Sequence, residues 1–104
     1  MDRIEKLQHF LLQNPTDSFL QHALALEYIK LQQDEKALAL FESIITQDEN
    51  YIGTYYHLAK LLLRLNFAQK AINTFEKGMV IAKTLKDNHA YNELQAALED
   101  AQDE

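Results

Sequence analysis

One short pattern occurs twice in this chain, and the two copies lie 34 residues apart. Residues 36–42 read KALALFE and residues 70–76 read KAINTFE, so four of the seven positions are identical. The match extends beyond these segments, because Leu24 recurs as Leu58 and further apolar pairs follow at the same spacing. A period of this length is typical of chains that stack one supersecondary unit, so it constrains the fold strongly.

The composition and the spacing of apolar residues predict an all-α chain. Only two glycines and one proline occur among 104 residues, whereas residue types that favour helices are abundant. Apolar residues recur at helical spacing between weak breaks. The pattern predicts six helices, over residues of about 2–13, 17–31, 34–47, 51–65, 67–85 and 88–101. Because connections this short force neighbouring helices to run antiparallel, we expect consecutive helical hairpins.

Acidic or amide side chains stand near the start of most predicted helices. Asp2, with Glu5 three residues later, forms a pattern like a capping box. Five further side chains can each accept a hydrogen bond from an unpaired backbone N–H: Asp17, Asp34, Asn50, Asn66 and Asn88. These candidate caps support the predicted boundaries.

Two sets of residues recur in register along the predicted hairpins. The first set is Gln21-x2-Leu24-Ala25-x2-Tyr28 with Ala37-x3-Phe41, and the second is Tyr55-x2-Leu58-Ala59-x2-Leu62 with Ala71-x3-Phe75. Both sets resemble the signature of the tetratricopeptide family, although alanine replaces its first-helix glycine and no closing proline follows either set. The resemblance implies an α-solenoid of antiparallel helix-turn-helix repeats in a right-handed superhelix.

The sizes of the repeated residues suggest their roles. Where two helices approach most closely, a side chain larger than alanine would force them apart. We expect this role for four alanines, Ala25, Ala37, Ala59 and Ala71. Phe41 and Phe75 would fill the space between hairpins.

The register extends toward both ends of the sequence. Leu7 lies 34 residues before Phe41, and Tyr91 lies 36 residues after Tyr55, which indicates two inserted residues at positions 86–87. We therefore expect a single domain over 1–104, with a half-repeat helix at 2–15, repeats at 18–51 and 52–85, and a capping helix at 88–101. The capping helix would cover helix 67–85 and present a polar outer face.

Composition and charge disfavour several classes of function. Cysteine is absent, so disulfides, cysteine zinc sites and thiol nucleophiles are excluded. The formal net charge of −6 argues against a nucleic-acid interface, which needs clustered lysine and arginine. The sequence contains no run of about 18 apolar residues, which is the length needed to span a bilayer. We expect a cytoplasmic chain that binds neither nucleic acid nor membrane.

No pattern of residues indicates catalysis or a cofactor. Ser18 and Ser43 lie in no nucleophile elbow, and the two glycines belong to no phosphate-binding run. No two histidines have the i, i+4 spacing of a helical metal site. His22 and His57 could approach each other on adjacent first helices and bind a metal ion together, but a surface or interface role for both is the simpler interpretation. We expect a protein that is not an enzyme and uses no metal or cofactor.

One face of each first helix is the candidate binding site. The resemblance implies that these faces line a concave groove, formed by Phe19, His22, Leu26, Ile29, Lys30, Tyr56, Lys60, Leu63 and Arg64. Such a groove would be apolar and locally basic, which suits a peptide with apolar anchors and an acidic group or a C-terminal carboxylate. The alternative is that the apolar residues are core and the cations are merely solvated. We expect a non-catalytic adaptor or scaffold for a protein or peptide partner.

One family subtype and two competing interactions bear on this expectation. Carboxylate-clamp proteins, which hold chaperone C-termini, resemble each other in a lysine and two asparagines, but His22, Leu26 and His57 stand at the matching positions here. We therefore do not expect this chain to bind a chaperone C-terminus by that mechanism.

The last six residues carry four acids, Glu99, Asp100, Asp103 and Glu104. These acids could neutralise the groove cations in cis or dock into a second molecule. The alternative function is self-association, end to end or as a two-fold dimer, through helices 2–13 or 88–101.

Overall fold

The computed structural model describes residues 1–103, and its helices agree with the predicted ones. They are α1 (Arg3–Gln13), α2 (Ser18–Lys30), α3 (Asp34–Gln47), α4 (Gly53–Arg64), α5 (Ala68–Thr84) and α6 (Asn88–Gln102). The prediction of an all-α chain is confirmed, and each predicted boundary lies within two residues of the observed one. Within the described part of the chain, no helix is both long enough and apolar enough to cross a bilayer.

The chain divides into two compact units, Met1–Tyr51 with α1 to α3 and Ile52–Glu104 with α4 to α6. In the first unit α2 contacts both α1 and α3, and in the second unit α5 contacts both α4 and α6. Each unit therefore contains one predicted hairpin, α2–α3 or α4–α5, and one additional helix.

Aspartate side chains cap three of the helices. Asp2 and Asp17 cap α1 and α2 as predicted, and each accepts a backbone N–H three residues later, at 2.8 and 3.0 Å. At α6 the cap is Asp87 rather than the predicted Asn88, and its carboxylate accepts a backbone N–H at 3.0 Å. The carboxylate suits this position because it also interacts favourably with the positive end of the helix dipole.

The predicted caps Asp34, Asn50 and Asn66 are wrong. The N-cap residues of α3, α4 and α5 make no side-chain hydrogen bond to the helix. Asp34 is already the first residue of α3, and α4 begins three residues after Asn50. Asn66 has a φ of 68°, so it closes α4 instead of opening α5.

Three helices end in the same kind of turn. Gln32, Asn66 and Lys86 follow the C-caps of α2, α4 and α5 and have positive φ values of 58°, 68° and 59°. In each turn the next residue donates its N–H to the carbonyl five residues earlier, at 2.8 to 2.9 Å. This is the Schellman arrangement, in which glycine usually occupies the left-handed position. Backbone hydrogen bonds thus end these helices without a glycine.

The alanines of the hairpins are buried as expected. Ala25 in α2 and Ala37 in α3 are fully buried in the first unit, and Ala59 in α4 and Ala71 in α5 are fully buried in the second. The phenylalanine four residues after the second-helix alanine is also fully buried in both units. These side chains belong to the buried core of each unit, as their expected packing roles require.

An amide network around the buried Gln21 stabilises the first unit. Gln21 in α2 is only 7% exposed, and its Nε2 donates to the Pro15 carbonyl at 3.0 Å. Gln47 at the end of α3 donates to Gln21 Oε1 at 2.8 Å and to the Thr16 carbonyl at 3.0 Å. Because a buried amide is costly unless it is hydrogen-bonded, this network joins the α1–α2 connection to α3.

A glycine shapes the second unit. A β-carbon added at Gly78 in α5 would lie 2.8 Å from Tyr55 Cβ in α4 and 3.0 Å from Leu94 Cδ1 in α6. Thirty-four residues earlier, the counterparts of Tyr55 and Gly78 are Gln21 and Ile44. The large Tyr55 ring is therefore accompanied by loss of the side chain at position 78, which lets α4 and α6 both approach α5.

Replacing Gly78 tests this close approach. We expect Gly78→Ala to lower the free energy of unfolding by about 1–3 kcal/mol, because the new methyl group would collide with Tyr55 Cβ, which is fixed to the backbone and cannot move aside as a flexible side-chain end can. Gly53→Ala is the control, since nothing lies within 4 Å of a β-carbon there. It should be neutral or stabilise α4 by about 0.5–1 kcal/mol. Urea denaturation measures both changes, and a Gly78→Ala variant as stable as wild type would contradict the packing.

Candidate functional site

The apolar residues of the predicted groove on α2 lie outside the fully buried core. Phe19 is 66% exposed, and Leu26 and Ile29 are half-buried. The exposed phenylalanine and the two half-buried aliphatic side chains leave apolar surface available along this helix. This arrangement is compatible with ligand contact and differs from that of a purely structural helix face.

His22, a further predicted groove residue, packs within the first unit. Its ring centroid lies 5.7 Å from those of Phe41 and Tyr51, in tilted arrangements. Burial raises the pKa of Tyr51, and the negative charges of Asp17 and Asp48 raise it further. The histidine ring thus contributes to an aromatic cluster, so contact with a ligand would involve only part of its surface.

Lys30 is engaged in an ion pair on the surface of the first unit. Its Nζ donates to Glu27 Oε2 at 3.0 Å, and Arg3 Nε donates to the same oxygen at 3.2 Å. The hydrogen bond from Lys30 is the main cause that lowers the pKa of Glu27. Both cations are about two-thirds exposed, with side-chain exposures of 70% and 65%, so the pairs stabilise the fold little. A ligand carboxylate would compete with Glu27 for Lys30.

Three of the four predicted groove residues on α4 line one cleft in the second unit. Lys60 and Arg64 are exposed and Leu63 is half-buried. The cleft has a volume of about 580 Å³. Its other lining residues are Asn66, Ala68, Ala97, Asp100 and Ala101. The α4 surface is therefore concave and basic, with α6 as its opposite wall.

Tyr56 is not among the residues that line this cleft. Its ring meets that of His57 edge to face, with centroids 5.4 Å apart. Burial lowers the pKa of His57, and the negative charge of Glu93 partly offsets this effect. His57 is therefore less readily protonated in the folded chain than in the unfolded one.

The α6 wall of the cleft was only partly anticipated from the sequence. Of the four acids expected to neutralise the groove cations, Asp100 lines the cleft, whereas Glu99 does not, and Glu104 lies outside the described residues. Sequence reasoning missed Ala97 and Ala101. Their i, i+4 spacing on either side of Asp100 was the available signal, because residues at this spacing share one face of a helix.

A second cleft in the same unit was not anticipated. It has a volume of about 310 Å³ and lies between α5 and α6. Its lining residues are Glu76, Met79, Val80, Lys83, Tyr91 and Leu98. Among residues 1–103, no group of three or more histidine, aspartate or glutamate side chains is placed to hold a metal ion.

Comparison with known proteins identifies similar structures. No protein-family model matches the chain, and no curated protein matches it. Among solved structures, a tetratricopeptide repeat domain protein from Salinibacter ruber is 41% identical to this chain. The alignment covers 83% of this chain and 96% of that protein, with a TM-score of 0.79.

More distant structures share the fold at low sequence identity. The TPR2B domain of yeast Sti1, solved as a complex with pHsp70, is 16% identical over 96% of this chain and 80% of that chain, with a TM-score of 0.88. PcrH, solved in complex with the chaperone binding region of PopD, is 19% identical over 95% of this chain and 75% of that chain, with a TM-score of 0.86. At these identities the likeness concerns the fold alone.

The lowered pKa of His57 predicts a loss of stability on acidification. Its pKa lies near 6.5 in the unfolded chain and below that value in the folded one. Well above pH 6.5 the His57 ring is neutral in both states and does not oppose folding, whereas stability is lost as the pH falls through 6.5 toward the folded-state pKa. We expect the free energy of unfolding to decrease between about pH 7.5 and about pH 5.5, and to decrease less in His57→Gln.

Urea denaturation across this pH range measures the effect. His89→Gln is the control, because His89 is exposed on the same unit. It should keep the wild-type pH dependence. The same slope in wild type and His57→Gln would contradict the burial of His57 as the cause.

Proposed function

This chain belongs to the tetratricopeptide repeat family, and on that basis we propose that it is a non-catalytic module that binds a protein or peptide partner through the first helices of its repeats. The observation that supports this proposal most directly is the basic cleft between α4 and α6. The complexes of the yeast Sti1 domain with pHsp70 and of PcrH with a region of PopD support the proposal, since they illustrate partner binding by chains of this fold.

The chemistry of the cleft specifies one kind of ligand group. Arg64 can donate two parallel hydrogen bonds to a carboxylate, and Lys60 adds a flexible ammonium group. Leu63, Ala97 and Ala101 offer apolar contact beside these cations. A peptide segment with a carboxylate next to an aliphatic side chain would satisfy both features. We propose such a segment as the part of the partner that binds here.

On the first unit, the predicted ligand contacts on α2 remain part of the proposal. Phe19 supplies the largest exposed apolar side chain there, and Leu26 and Ile29 extend the apolar surface along the helix. Aromatic anchors of this kind often contribute most of the energy of a protein interface. Lys30 could contact an acidic group of the partner only by giving up part of its pairing with Glu27.

Self-association by continuation of the repeat is the less favoured function. If α1 of one molecule packed on α6 of another as the two helices of a repeat, the alanines of the internal hairpins would be replaced. The residue 34 positions before Ala37 is Arg3, and the residue 36 positions after Ala59 is Gln95. Two long polar side chains would then stand where the helices must approach closely. This disfavours end-to-end stacking.

Reversing the charge of the cleft tests the proposed function. We expect Lys60→Glu with Arg64→Glu to weaken partner binding by more than about tenfold, because the ligand carboxylate would meet two like charges. Partners captured from the cell of origin with the wild-type chain would be identified by mass spectrometry and then titrated against each variant. The helical circular dichroism signal and the melting temperature should stay nearly unchanged, since both side chains are exposed.

The matched control is Lys70→Glu with Lys86→Glu. Both lysines are exposed in the second unit, outside the cleft, and the change in net charge is the same. This control should retain the partner. Equal loss of binding in both double variants would indicate a general charge effect, and a parallel loss of the fold would mean that Lys60 and Arg64 are structural.

A further inference from the structure

Asp100 lies on the α6 wall of the basic cleft, together with Lys60 and Arg64 of α4. We propose that Asp100 is a specificity-determining residue of this cleft and favours ligands with a single carboxylate over ligands with several. The inference rests on the proposed function, since it concerns the group that would bind between the two cations.

The charges around the cleft lead to this inference. Lys60 on the α4 side of the cleft can pair with one ligand carboxylate, and Asp100 stands on the α6 wall of the same cleft. A second carboxylate of the same ligand would meet the Asp100 side chain as a like charge. Repulsion of this kind weakens binding severalfold when the charges are less than a Debye length apart.

The position of Asp100 in its helix indicates a role other than stability. It lies near the C-terminal end of α6, which ends at Gln102, and the last turn of α6 contains no basic residue. An acidic side chain is unfavourable near the negative end of the helix dipole. Replacing Asp100 by asparagine should therefore not destabilise the fold, and an altered affinity would not result from unfolding.

The surroundings of Asp100 give its carboxylate access to a ligand. Ala97 and Ala101 flank it on the same face of α6, and all three residues line the cleft. Asp100 is exposed, so its carboxylate is accessible to a ligand in the cleft. The adjacent residue Glu99 is also acidic and exposed but does not line the cleft, which makes it a matched control.

Three small probes test the proposal by NMR titration of the full chain. N-acetyl-leucine carries one carboxylate beside an aliphatic side chain, N-acetyl-aspartate carries two carboxylates, and N-acetyl-leucinamide carries none. In the wild-type chain, N-acetyl-leucine should shift the backbone amide signals of Lys60, Arg64 and Ala97, with little effect from the other two probes. These small ligands are expected to bind with dissociation constants of about millimolar.

The Asp100→Asn variant is the decisive measurement. Compared with wild type, it should bind N-acetyl-leucine about two- to fivefold more tightly and N-acetyl-aspartate more tightly by a factor of at least about five. The preference for a ligand with one carboxylate would then be smaller than in wild type. Glu99→Gln should keep the wild-type preference, and raising the salt concentration should reduce the difference between Asp100→Asn and wild type. Circular dichroism confirms that both variants keep the fold.

The outcomes separate this proposal from the proposed function. If N-acetyl-leucine binds the cleft but Asp100→Asn keeps the wild-type preference, the role of Asp100 is wrong and the cleft remains a carboxylate site. An equal change in Glu99→Gln would also overturn it, because net charge alone would then account for the effect. If no probe shifts the cleft signals in any variant, both the carboxylate site and the role of Asp100 are wrong.

Discussion

The complete burial of alanine in both helices of each hairpin is the constraint on which the rest of the structure depends. Ala25 with Ala37 in the first unit and Ala59 with Ala71 in the second are fully buried. Because these side chains are single methyl groups, the helices of each hairpin can approach closely, and larger residues beside them fill the remaining space. The register of each hairpin then determines which residues of α2 and α4 face away from the core.

The differences between the two units are as informative as their repetition. In the first unit the buried Gln21 is hydrogen-bonded to Gln47 and to the Pro15 carbonyl, whereas its counterpart Tyr55 packs against Gly78 in the second. Gly78 also allows Leu94 of α6 to approach α5. This contact helps to hold α6 as the wall of the cleft. The glycine at position 78, where the first unit has Ile44, thus supports the proposed binding surface from the interior of the second unit.

Much of this fold could be predicted from the sequence, because the evidence was periodic. Apolar spacing placed all helix boundaries within two residues, and the 34-residue register identified the buried alanines. The capping of the helix ends was predicted less well. Gln32 and Lys86 adopt left-handed conformations that their residue types do not suggest, since the turns are formed by backbone hydrogen bonds. The predictions of Asp34, Asn50 and Asn66 as N-caps also failed, because the N-cap side chains of α3, α4 and α5 make no hydrogen bond to the helix.

The candidate site could be predicted only in part, for a different physical reason. Lys60, Leu63 and Arg64 follow from the helical register, and the structure brings them into one cleft. The lining by Ala97 and Ala101 depends on how α6 packs against α5, and their residue type carries no chemical signal. The ion pair of Lys30 with Glu27 also depends on side-chain geometry that the spacing does not determine.

The most direct test of the alanine contacts is the free energy of unfolding of Ala37→Leu compared with Ala39→Leu. Both changes add the same side chain to α3, but Ala37 is fully buried and Ala39 is exposed. Urea denaturation should show a loss of about 1–3 kcal/mol for Ala37→Leu, because the helices must separate, and almost none for Ala39→Leu. Equal stabilities of the two variants would contradict the claim that close helix packing at alanine determines this fold.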